Sequence, residues 1–184
     1  MNRRDALKAT TAMLGGALIA SSGVLAACAR TEPKRATATG VVTRDDQDLL
    51  EQIADTIYPT TASSPGAKAA GVGPVMTLLL NDCYEPPDQQ RAIKGLAEFR
   101  AACSSVNGAP FGTLPRAKRE QFLREVDAEA KKAGDKHYFH LVRDLTNTAY
   151  FSSEVGMTKA LRYERIPGKW IGCMPLKPGQ PAWG

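Results

Sequence analysis

His137 and His140 stand three positions apart, so on a helix they share one face and could hold one metal ion between them. Two imidazoles supply at most half of a zinc site, and the pair reads as structural or solvent-facing. Gly71-Val72-Gly73-Pro74 is the stretch nearest to a dinucleotide-binding loop, but proline stands where a helix would offer N–H groups to a phosphate. The carboxylates, such as Asp45 with Asp46 or Asp127 with Glu129, read as solvated helix faces and helix-dipole complements rather than acid–base pairs. Walker A, G-x-S-x-G, H-E-x-x-H and C-x-x-C-H patterns are absent from the sequence. The chain is therefore expected to carry no catalytic, cofactor-binding or metal-binding residue of its own.

Net charge narrows the partners. The formal charge is +5, and Arg3, Arg4 and Lys8 against Asp5 contribute +2 of it, which leaves about +3 for the rest. No basic cluster interleaved with aromatics accompanies that excess, so nucleic acid is excluded as a partner.

The first 28 residues carry the clearest pattern. Met1 to Lys8 (MNRRDALK) resembles a twin-arginine export signal, with Arg3, Arg4, Leu7 and Lys8 in place and Asn2 and Ala6 departing from the consensus. Ala9 to Ala27 is small-residue-rich with scattered Leu and Ile, a weakly apolar segment suited to export of folded proteins; an uncut membrane anchor is the alternative. Leu25-Ala26-Ala27-Cys28 resembles a lipobox, in which Cys28 would be acylated and moor the protein to a membrane; ordinary cleavage near Ala27, with Cys28 incidental, is the alternative. Residues 29–42 read as a flexible linker, and the domain is expected over 43–184. Export by the Tat translocase places the mature chain in the periplasm, where thiols can oxidise. Cys83 and Cys103 could then close a disulfide across two successive helices, with free buried thiols as the alternative; Cys173 is left over and could link to a partner or stay a buried free thiol.

The elements behind the signal are helical. Leu49, Leu50, Ile53 and Ile57 recur at helical spacing after Thr43 as N-cap, and Pro59 stops that helix. Pro59 to Gly73 has loop composition, and Pro74 to Tyr84 is apolar on all sides, as in a buried helix. A helix starting at Pro87 presents Ile93, Leu96, Ala97 and Phe99 up to about Cys103. Leu114 to Ala133 places Phe122, Leu123, Val126 and Ala130 on one face, with Gly134 as its C-cap. Lys136 to Phe151 does the same with Phe139, Val142, Leu145 and Ala149. The fold class is mainly α: one small domain of about five helices. An extended Pro/Gly-rich tail, 162–184, holds Trp170 and Trp183, which need a covering surface.

Two groups of residues carry a family resemblance across Asp48 to Trp183. Ile57-Tyr58-Pro59-Thr60, Pro65-Gly66-Ala67 and Ala70-Gly71-Val72 are similar to an "I-x-P-x-T-x-x-P-G-A-x-x-A-G-V" loop, although Thr61 to Ser64 (TASS) lacks its acidic residue. Tyr150-Phe151-Ser152-Ser153-Glu154-Val155-Gly156 and Tyr163 to Ile171 (YERIPGKWI) are similar to "Y-F-T-S-E-x-G" and "P-G-x-Y/W" segments. The family they resemble is the small subunit, subunit 3, of gluconate 2-dehydrogenase and related flavin-dependent sugar and polyol dehydrogenases.

The resemblance implies a noncatalytic subunit that binds, stabilises and escorts a large FAD-containing flavoprotein of the glucose-methanol-choline type through the Tat translocase. A c-type cytochrome carrying haem c could be a third subunit. Tyr150, Phe151, Glu154, Pro167, Gly168, Trp170, Cys173 and Trp183 become the candidate partner-contacting residues. A free-standing periplasmic lipoprotein that binds or scaffolds is the alternative.

Overall fold

In the computed structural model, residues 41–166, 168, 171–175 and 177–183 are described. Arg3, Arg4, Leu7, Lys8, Cys28, Pro167 and Trp170 lie outside them. The mainly helical fold class holds: among the described residues there are five α-helices, a 3-10 turn and a π-turn, with no strand beyond one isolated bridge.

Helix α1, Arg44–Ile57, begins where Thr43 and Asp46 close a reciprocal capping box. The Thr43 backbone N–H donates to Asp46 Oδ2 at 3.0 Å, and the Asp46 N–H donates to Thr43 Oγ1 at 3.2 Å. Asp46 Oδ1 accepts from Arg100 Nη2 at 2.6 Å. Burial pushes the Asp46 carboxyl up, but the Thr43 hydrogen bonds and Arg100 outweigh it and hold the group below the usual carboxylate range. Just upstream, Val42 is buried and donates its N–H to Asn81 Oδ1 at 3.3 Å.

Helix α2, Val72–Asp82, packs against α1 and against α5, Tyr138–Phe151. Val72, Met76 and Leu80 face inward. The expectation of a helix buried all round is corrected here: Leu78 is 58% exposed and Val75 37%. Two neighbouring helices cover one side of α2, and among the described residues Leu78 and Val75 on its other side remain exposed.

Helix α3, Pro86–Asn107, begins on two prolines that need no N–H partner. Its inward face is Ala92, Gly95, Leu96, Phe99 and Cys103 rather than the expected Ile93 and Ala97, of which Ile93 is half-buried and Ala97 exposed. Gly95 sits under Tyr138, where a Cβ would fall 2.0 Å from the ring. Burial pushes the Tyr138 hydroxyl far above its usual range. The 3-10 turn Phe111–Thr113 inserts Phe111, and helix α4, Arg116–Ala133, adds Phe122. Both rings stand edge-on to Phe99 at 5.1 Å, forming the aromatic floor of the core.

The expected Cys83–Cys103 bridge is not formed; both thiols are free. Cys83 caps the end of α2, whereas Cys103 sits near the far end of the 22-residue α3. At ~1.5 Å rise per residue the intervening helix separates them by about 25 Å, well beyond the ~7 Å reach of a disulfide. Cys103 is buried against Ala109 and Asn107.

Candidate functional site

The two groups of motif residues meet in space. The loop after α1 folds back on itself: Ala67 N–H donates to Tyr58 O at 2.8 Å, Gly66 N–H to Thr60 Oγ1 at 2.9 Å, and Thr61 N–H to Ser64 O at 2.9 Å. Gly66 permits the fold-back, because a Cβ there would lie 2.5 Å from Thr60 N and 2.8 Å from Tyr58 O. Such contacts are with backbone, which cannot swing aside.

The end of α5 closes onto this loop. The Tyr58 and Tyr150 rings stack at 4.7 Å and 9°, and Phe151 meets Tyr58 edge-on at 5.3 Å. Tyr150 Oη donates to Pro65 O at 2.8 Å, with Ser64 Oγ at 2.9 Å, while Tyr58 Oη donates to Asn147 Oδ1 at 2.8 Å. Burial, with Tyr150 alongside, pushes the Tyr58 hydroxyl upward and keeps it a donor. Ser153 Oγ donates to Tyr150 O at 2.6 Å and accepts from Gly156 N–H at 3.0 Å. A Cβ on Gly156 would sit 2.0 Å from Tyr150 O, so this glycine lets the π-turn Gly156–Ala160 leave the helix end.

The chain then makes an arm. Arg162 N–H donates to Ala182 O at 2.8 Å, and the Arg162 guanidinium lies 4.2 Å over the Trp183 ring. These contacts latch the two ends of residues 163–182 together. Between them Tyr163 (49%), Ile166 (77%), Ile171 (49%) and Met174 (48%) are exposed. Below the latch, Tyr58, Pro59, Phe151, Leu161 and Ala182 line an open groove of about 300 Å³.

The partner-contact candidates thus divide. Tyr150 is buried and spends its ring and hydroxyl on the Pro59–Ala67 loop; Phe151 is half-buried beside it. Glu154 and Cys173 are exposed, and Gly168 adopts the left-handed φ of 70°. Trp183 stands under Arg162 at the base of the arm rather than at its tip. Reasoning from sequence missed Tyr58, Arg162, Ile166, Ile171 and Met174. Tyr58 carried a signal, since it lies inside the first motif; Arg162 carried none.

A second cleft, about 430 Å³, lies between α1, α4 and α5, with Arg124, Asp127 and Arg143 on its walls. Asp127 pairs with Lys131 at 2.6 Å and with Arg143 at 3.0 Å. The Lys131 hydrogen bond, reinforced by the charges of Lys131 and Arg143, holds its carboxyl below the usual range, which suits an ion pair and not a general base. The histidines are engaged in the same region. His137 Nδ1 caps α5 by accepting from Phe139 N–H. His140 Nε2 lies 3.1 Å from Ala130 O and its Nδ1 3.2 Å from Arg143 Nη2, the pattern of a ring donating from Nε2 and accepting at Nδ1. Among the described residues no three His, Cys, Asp or Glu side chains gather as a metal site.

Residues 44–168, more than half of the chain and including both halves of the junction, match the family model of gluconate 2-dehydrogenase subunit 3. The chain belongs to that family. No curated protein and no solved structure matches the chain significantly. The family match begins within the capping box of α1 and ends at Gly168, inside the arm.

Proposed function

We propose that this chain is a noncatalytic accessory subunit of an exported, FAD-dependent sugar or polyol dehydrogenase complex. It binds and stabilises a large flavoprotein of the glucose-methanol-choline type and escorts it, folded and FAD-loaded, through the Tat translocase to the periplasm. Arg3, Arg4, Leu7 and Lys8 serve as the export signal for both chains, and acylated Cys28 moors the complex to the membrane. Electrons leave the flavoprotein for a c-type cytochrome.

The observation that carries this reading is a latched arm displaying apolar side chains, in a chain whose family is described as a dehydrogenase subunit. Loops of this length in small domains are commonly functional, and exposed apolar clusters commonly mark interfaces. Export of a folded flavoprotein fits a twin-arginine signal, because FAD is loaded before translocation.

The test isolates tagged full-length chain from the cell envelope and assays it for bound FAD and sugar-dependent dye reduction. A stoichiometric flavoprotein is expected. Substituting Arg3→Lys and Arg4→Lys together should leave the flavoprotein in the cytoplasm; its normal export in that variant overturns the escort role.

A further inference from the structure

Charge is divided unevenly along the domain. Residues 41–161 carry 14 basic and 16 acidic side chains, whereas residues 162–184 carry four basic and one acidic. One of those four, Arg162, is committed to the Trp183 ring. Arg165 and Lys177 are exposed and enter no ion pair among the described residues, although the body behind them is rich in carboxylates. Ile166, Ile171 and Met174 stand exposed between them.

We infer that the described residues of the arm, held at its base by Arg162, Ala182 and Trp183, insert the apolar side chains of Ile166, Ile171 and Met174 as a finger into an apolar cleft of the flavoprotein subunit rimmed by carboxylates that face Arg165 and Lys177. This rests on the proposed subunit role and adds the chemistry of the surface that receives it. Exposed apolar residues flanked in sequence by two exposed cations match the usual division of an interface into a desolvated centre and a polar rim. The latch matters because a 20-residue loop tied at both ends has less freedom to lose on docking. A cationic, apolar segment also suits an anionic lipid surface. The protein partner is favoured because the family is described as a subunit, and because the described residues of the finger form no helix that could lie in a membrane.

The experiment purifies the complex formed by the full chain, separates its flavoprotein, and follows reassociation with variant full chains by surface plasmon resonance at low and high salt. Arg165→Glu with Lys177→Glu should slow association about tenfold at low salt, with the gap closing at high salt. Ile166→Ser with Met174→Ser should instead speed dissociation at either salt. Trp183→Ala should weaken binding while leaving the thermal midpoint unchanged.

Charge-reversed chains that associate like the wild type at both salts overturn the acidic rim. Serine variants that dissociate normally overturn the finger as the contact. Binding of the finger to phosphatidylglycerol vesicles, lost on charge reversal while flavoprotein binding is kept, assigns it to the membrane and overturns the proposal. Recovery of no flavoprotein at all would instead refute the subunit role on which it rests.

Discussion

The two motif-bearing regions of this domain use the same kinds of residue for opposite ends. At the junction, Tyr58, Tyr150, Ser153, Gly66 and Gly156 are consumed by one another: rings stack, hydroxyls reach backbone carbonyls, and glycines admit backbone where a Cβ would collide. In the arm, Tyr163, Ile166, Ile171 and Met174 are displayed, while Arg162 and Trp183 at the base are spent on each other. A family motif can therefore be buried in the fold at one place and displayed on the surface at another. Burial tells which is which.

Substitutions in the body and in the arm should separate these two uses. The largest effect is expected from Phe99→Ala, which removes a ring packed edge-on to Phe111 and Phe122. About 3–5 kcal/mol of stability should be lost in urea unfolding, as for large buried aromatics. Gly66→Ala should follow at about 3 kcal/mol, near the upper end of overpacking costs, since the new methyl meets backbone atoms. A variant with wild-type stability would mean that the loop opens freely and that the junction is not rigid.

Asp46→Asn should cost about 1–2 kcal/mol at neutral pH, because the amide keeps one oxygen for the Thr43 N–H but loses the charge-assisted bond from Arg100. It should also change the acid limb of the stability profile. The Asp46 carboxyl is lower in the folded chain than its ordinary value, so its contribution is complete above the unfolded value, near 4, and is lost as pH falls through the folded one. Unfolding monitored from pH 5 to pH 2 should be flatter in the variant than in the wild type. The smallest effect on stability is expected from Ile166→Ser, within about 0.5 kcal/mol, as for exposed positions. A clear loss would place the arm inside the folding unit and erase the contrast.

Local chemistry was legible in the sequence. Thr43 as a cap, the stripe of Phe122, Leu123, Val126 and Ala130, and Gly134 at a helix end follow from residue type and spacing alone, and the structure places them so. The family was legible too, because its motifs are short strings of turn-forming residues.

What stayed hidden depends on partners far along the chain. No periodicity reveals that Tyr58 stacks on Tyr150, that Arg100 reaches back to Asp46, or that Tyr138 occupies the notch over Gly95. The Cys83–Cys103 expectation failed through helix length, since a pair that looks like a hairpin in sequence spans most of α3. The apolar circumference of α2 misled for a related reason. Hydrophobicity says that a face avoids water, and not whether this chain supplies the cover.

The latch between Arg162 and Trp183 has an optical consequence. The chain has two tryptophans, Trp170 and Trp183, both in the tail, and the helical body has none. Tryptophan emission therefore belongs to the arm alone, with the Trp183 contribution set by the cation above its ring. The near-parallel phenols of Tyr58 and Tyr150 should add a near-ultraviolet circular-dichroism signal from the body. One molecule thus carries two separate dyes, and in a single titration it can show the arm engaging while the core stays unchanged.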